Sequence, residues 1–390
     1  MTNSLLQKMN RRLEYIKPSA IRAFDEKVSK VSGMLKLTLG EPDFDTAEHV
    51  KAAGMKAIEN NLTHYAPSNG TADLKKAAAE FMNRHYHLNY TPEETIITVG
   101  ATESLFTVFA SIINEGDEIL VPTPTFPLYF SDIEVCGGKP VYLDTSENNF
   151  ILTPEKLDEA FKAHPKAKAI VLNYPSNPTG VTYSRKQVQA IADNLKQRDV
   201  FVISDEIYAQ ITFDQPHTSI AEFIPEQTIL VSGVSKSHAM TGWRIGTLQA
   251  PLAIIRELSK VHQFTVTAAA TMNMAAAEEA FTKGFDDGAK MREEYQKRRD
   301  YLEKALTDLG FSYAKPTGAF YLFMKIPEDM EQDSFKFCYD LADKVKLAVI
   351  AGAAFGPGGE GYVRLSYAAS MADLHEAVNR LLQYKKMISK

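Results

Sequence analysis

Ala167-Lys-Ala-Ile-Val-Leu-Asn173 and Val200-Phe-Val-Ile-Ser204 are two short apolar runs rich in β-branched residues, and the helical stretch Arg185 to Lys196 separates them. Each run is too short for a core helix and is bounded by turn residues, so each reads as a buried strand. A strand, a helix and a second strand in succession make the unit from which a mostly parallel sheet is assembled. The same texture extends in both directions. Strand-like runs recur at Thr95 to Val99, Glu118 to Pro122, Lys139 to Leu143 and Thr228 to Ser232, with another helical stretch at Glu103 to Asn114. Earlier, Ala47 to Asn60 and Ala72 to His85 carry apolar residues at helical spacing, the second after the turn Ser68-Asn-Gly-Thr71. These segments predict a large α/β unit with a mostly parallel central sheet flanked by helices.

After Pro251 the texture changes. A charged helical stretch spans Asp286 to Leu309, Gly318-Ala-Phe-Tyr-Leu-Phe323 is strand-like, and a mixed α+β tail follows. No internal repeat, low-complexity tract or Pro-rich linker cuts the chain. A length of 390 residues suits two or three domains of roughly 100 to 200 residues each, or one large unit with a smaller α+β companion.

Composition excludes several classes. Hydrophobic residues at 45% and charged residues at 24% match ordinary globular proteins and not disordered, collagenous or disulfide-scaffold chains. A net charge of -6 without long runs of either sign gives no support for a nucleic-acid partner. Cys136 and Cys338 are too few for a disulfide framework and lack zinc-site spacing, so a reducing compartment is expected. Met1 to Arg12 lacks the apolar core of a signal peptide, and no apolar stretch nears the roughly 20 residues that span a bilayer. The expectation is a cytoplasmic protein with no membrane contact.

In open α/β sheets ligands bind beyond the carboxyl ends of the strands. Behind Val99 stand Gly100, Ala101 and Thr102, a glycine turn feeding a helix N-terminus of the kind that holds phosphate. Asn177 and Gly180 follow the strand ending at Asn173; Asp205 and Tyr208 follow Ser204; Ser235, Lys236 and Arg244 follow Ser232. An anionic cofactor site on one rim is what this pattern predicts.

Four segments carry a resemblance over about Leu39 to Tyr367. They are Gly40-Glu-Pro-Asp-Phe44, Asn177-Pro-Thr-Gly180, Ser204-Asp-Glu-Ile-Tyr208 and Ser235-Lys-Ser-His-Ala-Met-Thr-Gly-Trp-Arg244. In this order they resemble the signatures of the class I/II pyridoxal-phosphate aminotransferases, which have the fold type I architecture. The resemblance implies a large cofactor domain at 46–285 and a small domain built from 1–45 and 286–390, because Gly40 and Arg364 must meet at one substrate.

The resemblance also assigns roles. Lys236 would carry pyridoxal 5'-phosphate as a Schiff base and then move the substrate proton. Asp205 would pair with the ring nitrogen, Asn177 and Tyr208 would bind the ring hydroxyl, and Phe126, in Pro124-Thr-Phe-Pro-Leu-Tyr129, would stack on the ring. Gly100, Ala101, Thr102, Ser235 and Arg244 would hold the phosphate. Gly233 departs from relatives with a phosphate-binding serine three residues before the lysine, which leaves Ser232 or Ser235 for that contact. Tyr65, in His64-Tyr-Ala-Pro67, would reach the phosphate of a partner subunit, which implies a homodimer. Arg364, in Gly361-Tyr-Val-Arg-Leu-Ser366, would grip the substrate α-carboxylate as a planar fork, supported by Gly40 and Asn177.

The reaction implied is transfer of an amino group from an L-amino acid to a 2-oxo acid, with 2-oxoglutarate expected as acceptor. A fold type I carbon–sulfur β-lyase is the alternative, and a regulator on the same scaffold the non-enzymatic one. Subgroup wording at Tyr174 to Gly180, Val234 to Met240 and Gly361 to Ser366 points to N-acetyl-L,L-diaminopimelate or aromatic donors. Val261 to Ala270 contains no Arg or Lys, which disfavours a strict dicarboxylate pocket, and Arg22 is a candidate for a distal carboxylate.

Other motifs keep plain readings. Gly356, Gly358 and Gly361 spell G-x-G-x-x-G but precede a strand-like run instead of joining strand to helix. His85 and His87 lack partners at metal spacing and read as solvated, so no metal is expected. Cys136 reads as a small buried residue, and the mixed charges of Met291 to Lys304 as a solvated helix face.

Overall fold

The computed structural model describes residues 5–388. The outermost four and two residues of the expected small-domain segments lie outside the described residues. A short strand, β1 (Leu35–Lys36), precedes the main sheet. Among the described residues that sheet has seven strands: β2 (Thr95–Thr98), β3 (Glu118–Thr123), β4 (Lys139–Asp144), β5 (Ala169–Asn173), β6 (Phe201–Asp205), β7 (Thr228–Gly233) and β8 (Gly246–Gln249). Their order is β2-β8-β7-β6-β5-β3-β4. All neighbours are parallel except at β8, which runs antiparallel to both β2 and β7.

Six of these strands coincide with the expected runs to within two residues. Strand β8 has no counterpart among them. It is four residues long and mostly polar or glycine, and its complete burial comes from its place between β2 and β7, which local sequence does not reveal.

Alternate residues supply the two faces of the sheet. Ile96, Val171, Ile203 and Ile229 pack under helices Gly100–Ile112 and Leu252–Val266 with Leu105, Phe109 and Leu258. Ile170, Leu172 and Val202 pack on the other face against helices Pro154–Ala163 and Arg185–Leu195 through Leu157, Val188 and Ile191. Both faces are covered, which is why these strands read as apolar runs and not as alternating ones.

A second sheet collects the C-terminal part of the chain. It contains β9 (Tyr313–Ala314) and β10 (Tyr321–Lys325). After β11 (Leu347–Ala348), β12 (Ile350–Ala351) and β13 (Tyr362–Ser366) complete it, in the antiparallel order β12-β13-β10-β9. Strand β11 pairs instead with β1, so an N-terminal segment meets the C-terminal part of the chain beside this sheet. The strand expected at Gly318 to Phe323 is displaced to Tyr321–Lys325. The Thr317 and Gly318 amides donate to Gly180 and the Ala319 amide to Ile211, which holds these residues against the loops behind β5 and β6.

Two surface readings are corrected. Arg298 and Arg299, on helix Gly288–Asp308, point inward. Arg298 bonds Asp43 at 2.8 Å and Arg299 bonds Asp214 at 3.1 Å, carboxylates far away in the chain. His85 is not solvated either: its ring stacks on Phe285, with centroids 4.1 Å apart and planes at 12°. Cys136 is only half-buried, and burial pushes its thiol up to about 11. No described helix is long and apolar enough to cross a membrane.

Candidate active site

The carboxyl ends of β2, β5, β6 and β7 open onto one cavity of about 810 Å³. Asp205 is the last residue of β6, and Lys236 lies in the short helix Val234–Ser237 immediately after β7. Of the residues named from sequence, Gly40, Ala101, Thr102, Phe126, Asn177, Asp205, Tyr208, Ser235, Lys236, Arg244 and Arg364 line the cavity. Arg22 joins them from the N-terminal segment. Gly100, Ser232 and Tyr65 do not line it. Ser232 is buried in the β7 ladder opposite Thr247, whereas Tyr65 is 90% exposed.

The Lys236 amine points to the Gly40 carbonyl and donates a hydrogen bond to it. Burial lowers the amine to about 8; Arg244 and Arg364 push in the same direction, while Glu41 and Asp205 oppose them. A lysine held this low has an appreciable neutral fraction near neutral pH, as a nucleophile or base requires. Asp205 is 4% exposed. Burial raises its carboxyl to about 6, against the hydrogen bonds from Tyr129 and from the Ile207 amide.

Arg364 projects from β13, 3% exposed, so the second sheet delivers a guanidinium to the cavity that the ends of the first sheet's strands also line. Its Nη1 donates to Asn177 Oδ1 at 2.8 Å and its Nη2 to the Thr38 carbonyl at 2.6 Å. Its Nε has no partner among the described residues, and it lies 4.5 Å from the centre of the Tyr321 ring. The Tyr321 and Tyr208 hydroxyls are 2.7 Å apart. Burial holds the Tyr208 phenol well above its ordinary range, so it keeps its proton.

Close backbone contacts shape the remaining side. Gly100 opens helix Gly100–Ile112 at φ +75°, and a Cβ there would collide with the Arg244 guanidinium. The glycine therefore lets the guanidinium lie against the helix N-terminus, where the first amides lack intrahelical partners. Arg244 donates to the Thr241 carbonyl at 3.0 Å and has no carboxylate partner among the described residues. A Cβ at Gly233 would stand 2.8 Å from the Gly246 Cα and the Ile245 carbonyl. The approach of β8 thus accounts for glycine at that position, and of Ser232 and Ser235 it is Ser235 that faces the cavity.

Sequence reasoning missed Tyr129, Tyr321 and Thr38. Tyr129 donates to Asp205 Oδ2 at 2.7 Å, and Tyr321 sits between Tyr208 and Arg364. Both tyrosines stand inside segments already singled out, Pro124 to Tyr129 and Gly318 to Phe323. Their function lies in contacts across the fold, for which a linear motif carries no signal.

The model of the family described as aminotransferase class I and II matches residues 32–381. A Bacillus subtilis protein named as a probable N-acetyl-LL-diaminopimelate aminotransferase is 45% identical, covering 96% of this chain and 94% of its own length. Aromatic-amino-acid aminotransferase 2 of Thermococcus litoralis is 36% identical, with coverages of 97% and 99%. Among solved structures, aspartate aminotransferase from Thermus thermophilus with maleate superposes with a TM-score of 0.91 at 37% identity, over 96% of this chain and 99% of that one. With the match to the family model and to relatives along nearly the whole length, the chain belongs to the class I and II aminotransferases, a family of pyridoxal-phosphate-dependent transferases of fold type I.

Proposed function

We propose that this aminotransferase binds pyridoxal 5'-phosphate in the cavity and transfers an amino group from an L-amino acid to a 2-oxo acid, 2-oxoglutarate, in two half-reactions. The observation that carries the reading is the convergence of Lys236, Asp205 and Arg364, each buried or half-buried, on one rim. The residues suit the cofactor chemically. A helix N-terminus at Gly100, Ala101 and Thr102, the Ser235 hydroxyl and the uncompensated Arg244 match a phosphate dianion. Asp205 matches a protonated ring nitrogen, Asn177 and Tyr208 a ring hydroxyl, and Phe126 a flat ring face.

When bound, pyridoxal phosphate supplies an aldehyde carbon that takes up amines and an electron-withdrawing ring that stabilises negative charge at the substrate Cα. The protein's residues do the rest. Arg364 binds the substrate α-carboxylate with Asn177 and Gly40 beside it, and so orients the Cα substituents. Lys236, in its neutral form, takes the Cα proton as general base and returns a proton as general acid.

The donor we propose is N-acetyl-L,L-diaminopimelate or an aromatic amino acid. Phe126, Leu128, Phe130 and Tyr142 give the cavity an apolar, aromatic wall, and Arg22 and Lys17 stand where the N-terminal segment borders it. The reading includes a cytoplasmic homodimer whose exposed Tyr65 serves the partner's phosphate site. It also includes a division into a large domain at 46–285 and a small one from 1–45 and 286–390. A panel of amino donors with 2-oxoglutarate tests the proposal, including aromatic amino acids, aspartate, alanine and N-acetyl-L,L-diaminopimelate. Glutamate should form with one of the first or last group; ammonia release without any keto acid would identify a β-lyase instead.

A further inference from the structure

Helix Leu128–Val135 begins immediately behind Phe126 and Pro127, and its second residue, Tyr129, is 1% exposed. The Tyr129 amide donates to the Phe126 carbonyl at 3.3 Å, and the two rings pack edge to face at 6.1 Å and 89°. Tyr129 itself lines the cavity. Its hydroxyl meets Asp205 Oδ2 at 2.7 Å, while Asp205 Oδ1 accepts from the Ile207 amide at 3.2 Å. The two carboxylate oxygens are thus tied to two different elements.

We propose that Tyr129 is a positioning residue whose hydroxyl fixes the orientation and the negative charge of the Asp205 carboxylate, readying it for a protonated ring nitrogen. The inference rests on the role given to Asp205 in the proposed function and adds the residue through which that role is maintained. The direction of the hydrogen bond is set chemically. Burial and the neighbouring carboxylate hold the Tyr129 phenol well above its ordinary range, so the phenol donates, and an ionised carboxylate can only accept.

The groups that face Asp205 leave Tyr129 a decisive share. Burial is the largest influence and raises the carboxyl to about 6; Glu206, next in the chain, pushes the same way, and Lys236 pushes down across the cavity. Besides the Ile207 amide, the Tyr129 hydroxyl is the hydrogen-bond donor acting against burial, since Tyr208 is engaged with Tyr321. A hydrogen bond to a buried charge is worth a factor of roughly ten or more. Without it the carboxyl would take up its proton close to neutral pH and present a neutral acid to the ring nitrogen.

Tyr129→Phe removes the hydroxyl and keeps the ring packing. The carboxyl stretch of Asp205, assigned with Asp205→Asn, is followed by difference infrared spectroscopy of the full chain freed of cofactor. The expected result is a protonation midpoint higher by about one pH unit or more. Affinity for pyridoxal phosphate should fall in parallel, with kcat lowered more than KM. An unmoved midpoint in Tyr129→Phe, whatever its thermal stability, would overturn the proposal, because it would leave Tyr129 a packing residue. Wild-type affinity and kcat in Asp205→Asn would overturn it differently, by removing the role of Asp205 itself.

Discussion

Replacing Lys236 with methionine removes a buried amine and keeps most of its volume, so it isolates the cost of that charge. The amine stands at about 8 in the folded chain against an ordinary 10.5, with burial as the main cause. That depression corresponds to roughly 3 kcal/mol disfavouring the charged form. Water at the cavity mouth screens part of it, leaving about 2 kcal/mol. The sign follows from proton binding: between the two values the unfolded chain holds the proton and the folded chain does not, so stability rises with pH there. The penalty is fully present below pH 8 and gone above 10.5. Lys236→Met freed of cofactor should therefore be more stable than the wild type at neutral pH by about 2 kcal/mol, with the gain fading across that window. Urea unfolding of both proteins at a fixed concentration and a series of pH values measures the difference. A difference that stayed constant from neutral pH to above 10.5 would refute the reasoning, since packing alone is insensitive to pH.

Three other substitutions address different layers of the structure. Arg364→Ala should raise KM for both substrates by about thirtyfold, the equivalent of roughly 2 kcal/mol for losing a buried charged contact. Steady-state kinetics should show kcat changing less than in Asp205→Ala, where the chemical step slows. Glu206→Ala should cost about 3 to 5 kcal/mol in urea unfolding. Its buried carboxylate is the hub for the Ser204 and Ser219 hydroxyls and His217 Nε2, at 2.7, 2.9 and 2.7 Å. Gly233→Ala should destabilise by about 1 to 3 kcal/mol, because the added carbon forces β7 and β8 apart; a thermal melt unchanged from wild type would contradict the close approach of Gly246.

The central sheet was legible because a strand covered on both faces must be largely apolar, and Ala169-Ile-Val-Leu172 of β5 and Phe201-Val-Ile203 of β6 meet that condition without help from their neighbours. Asp205 and Lys236 were legible for a related reason. Polar residues that follow such strands stand at the rim where an open α/β sheet binds its ligands. Strand β8 was not, since Gly246-Thr-Leu-Gln249 is buried only by virtue of the strands on either side. Nor were Arg298 and Arg299. In a helix of alternating charges nothing local distinguishes an arginine that meets solvent from one that meets Asp43 or Asp214. Tyr129 and Tyr321 belong to the same class: their meaning depends on which carboxylate or hydroxyl the fold brings within 2.7 Å.

The Arg298 pairing bears on the site itself. Asp43 closes the segment that begins at Thr38, and two cations of the cavity take their carbonyl partners from that segment, Arg364 from Thr38 and Lys236 from Gly40. The segment is anchored on the other side as well, since the Ser366 amide donates to the Leu37 carbonyl and Arg298 holds Asp43. Arg364 and Lys236 are therefore positioned by one strap fixed to β13 and to helix Gly288–Asp308, although one cation arises from β13 and the other from the helix behind β7. Any displacement of that strap changes the partners of both cations at once. A net charge of -6 over the whole chain says nothing of this. What matters for the chemistry is that Lys236, Arg244 and Arg364 face one cavity, two of them held by neutral carbonyls of the strap and none cancelled by a paired carboxylate among the described residues.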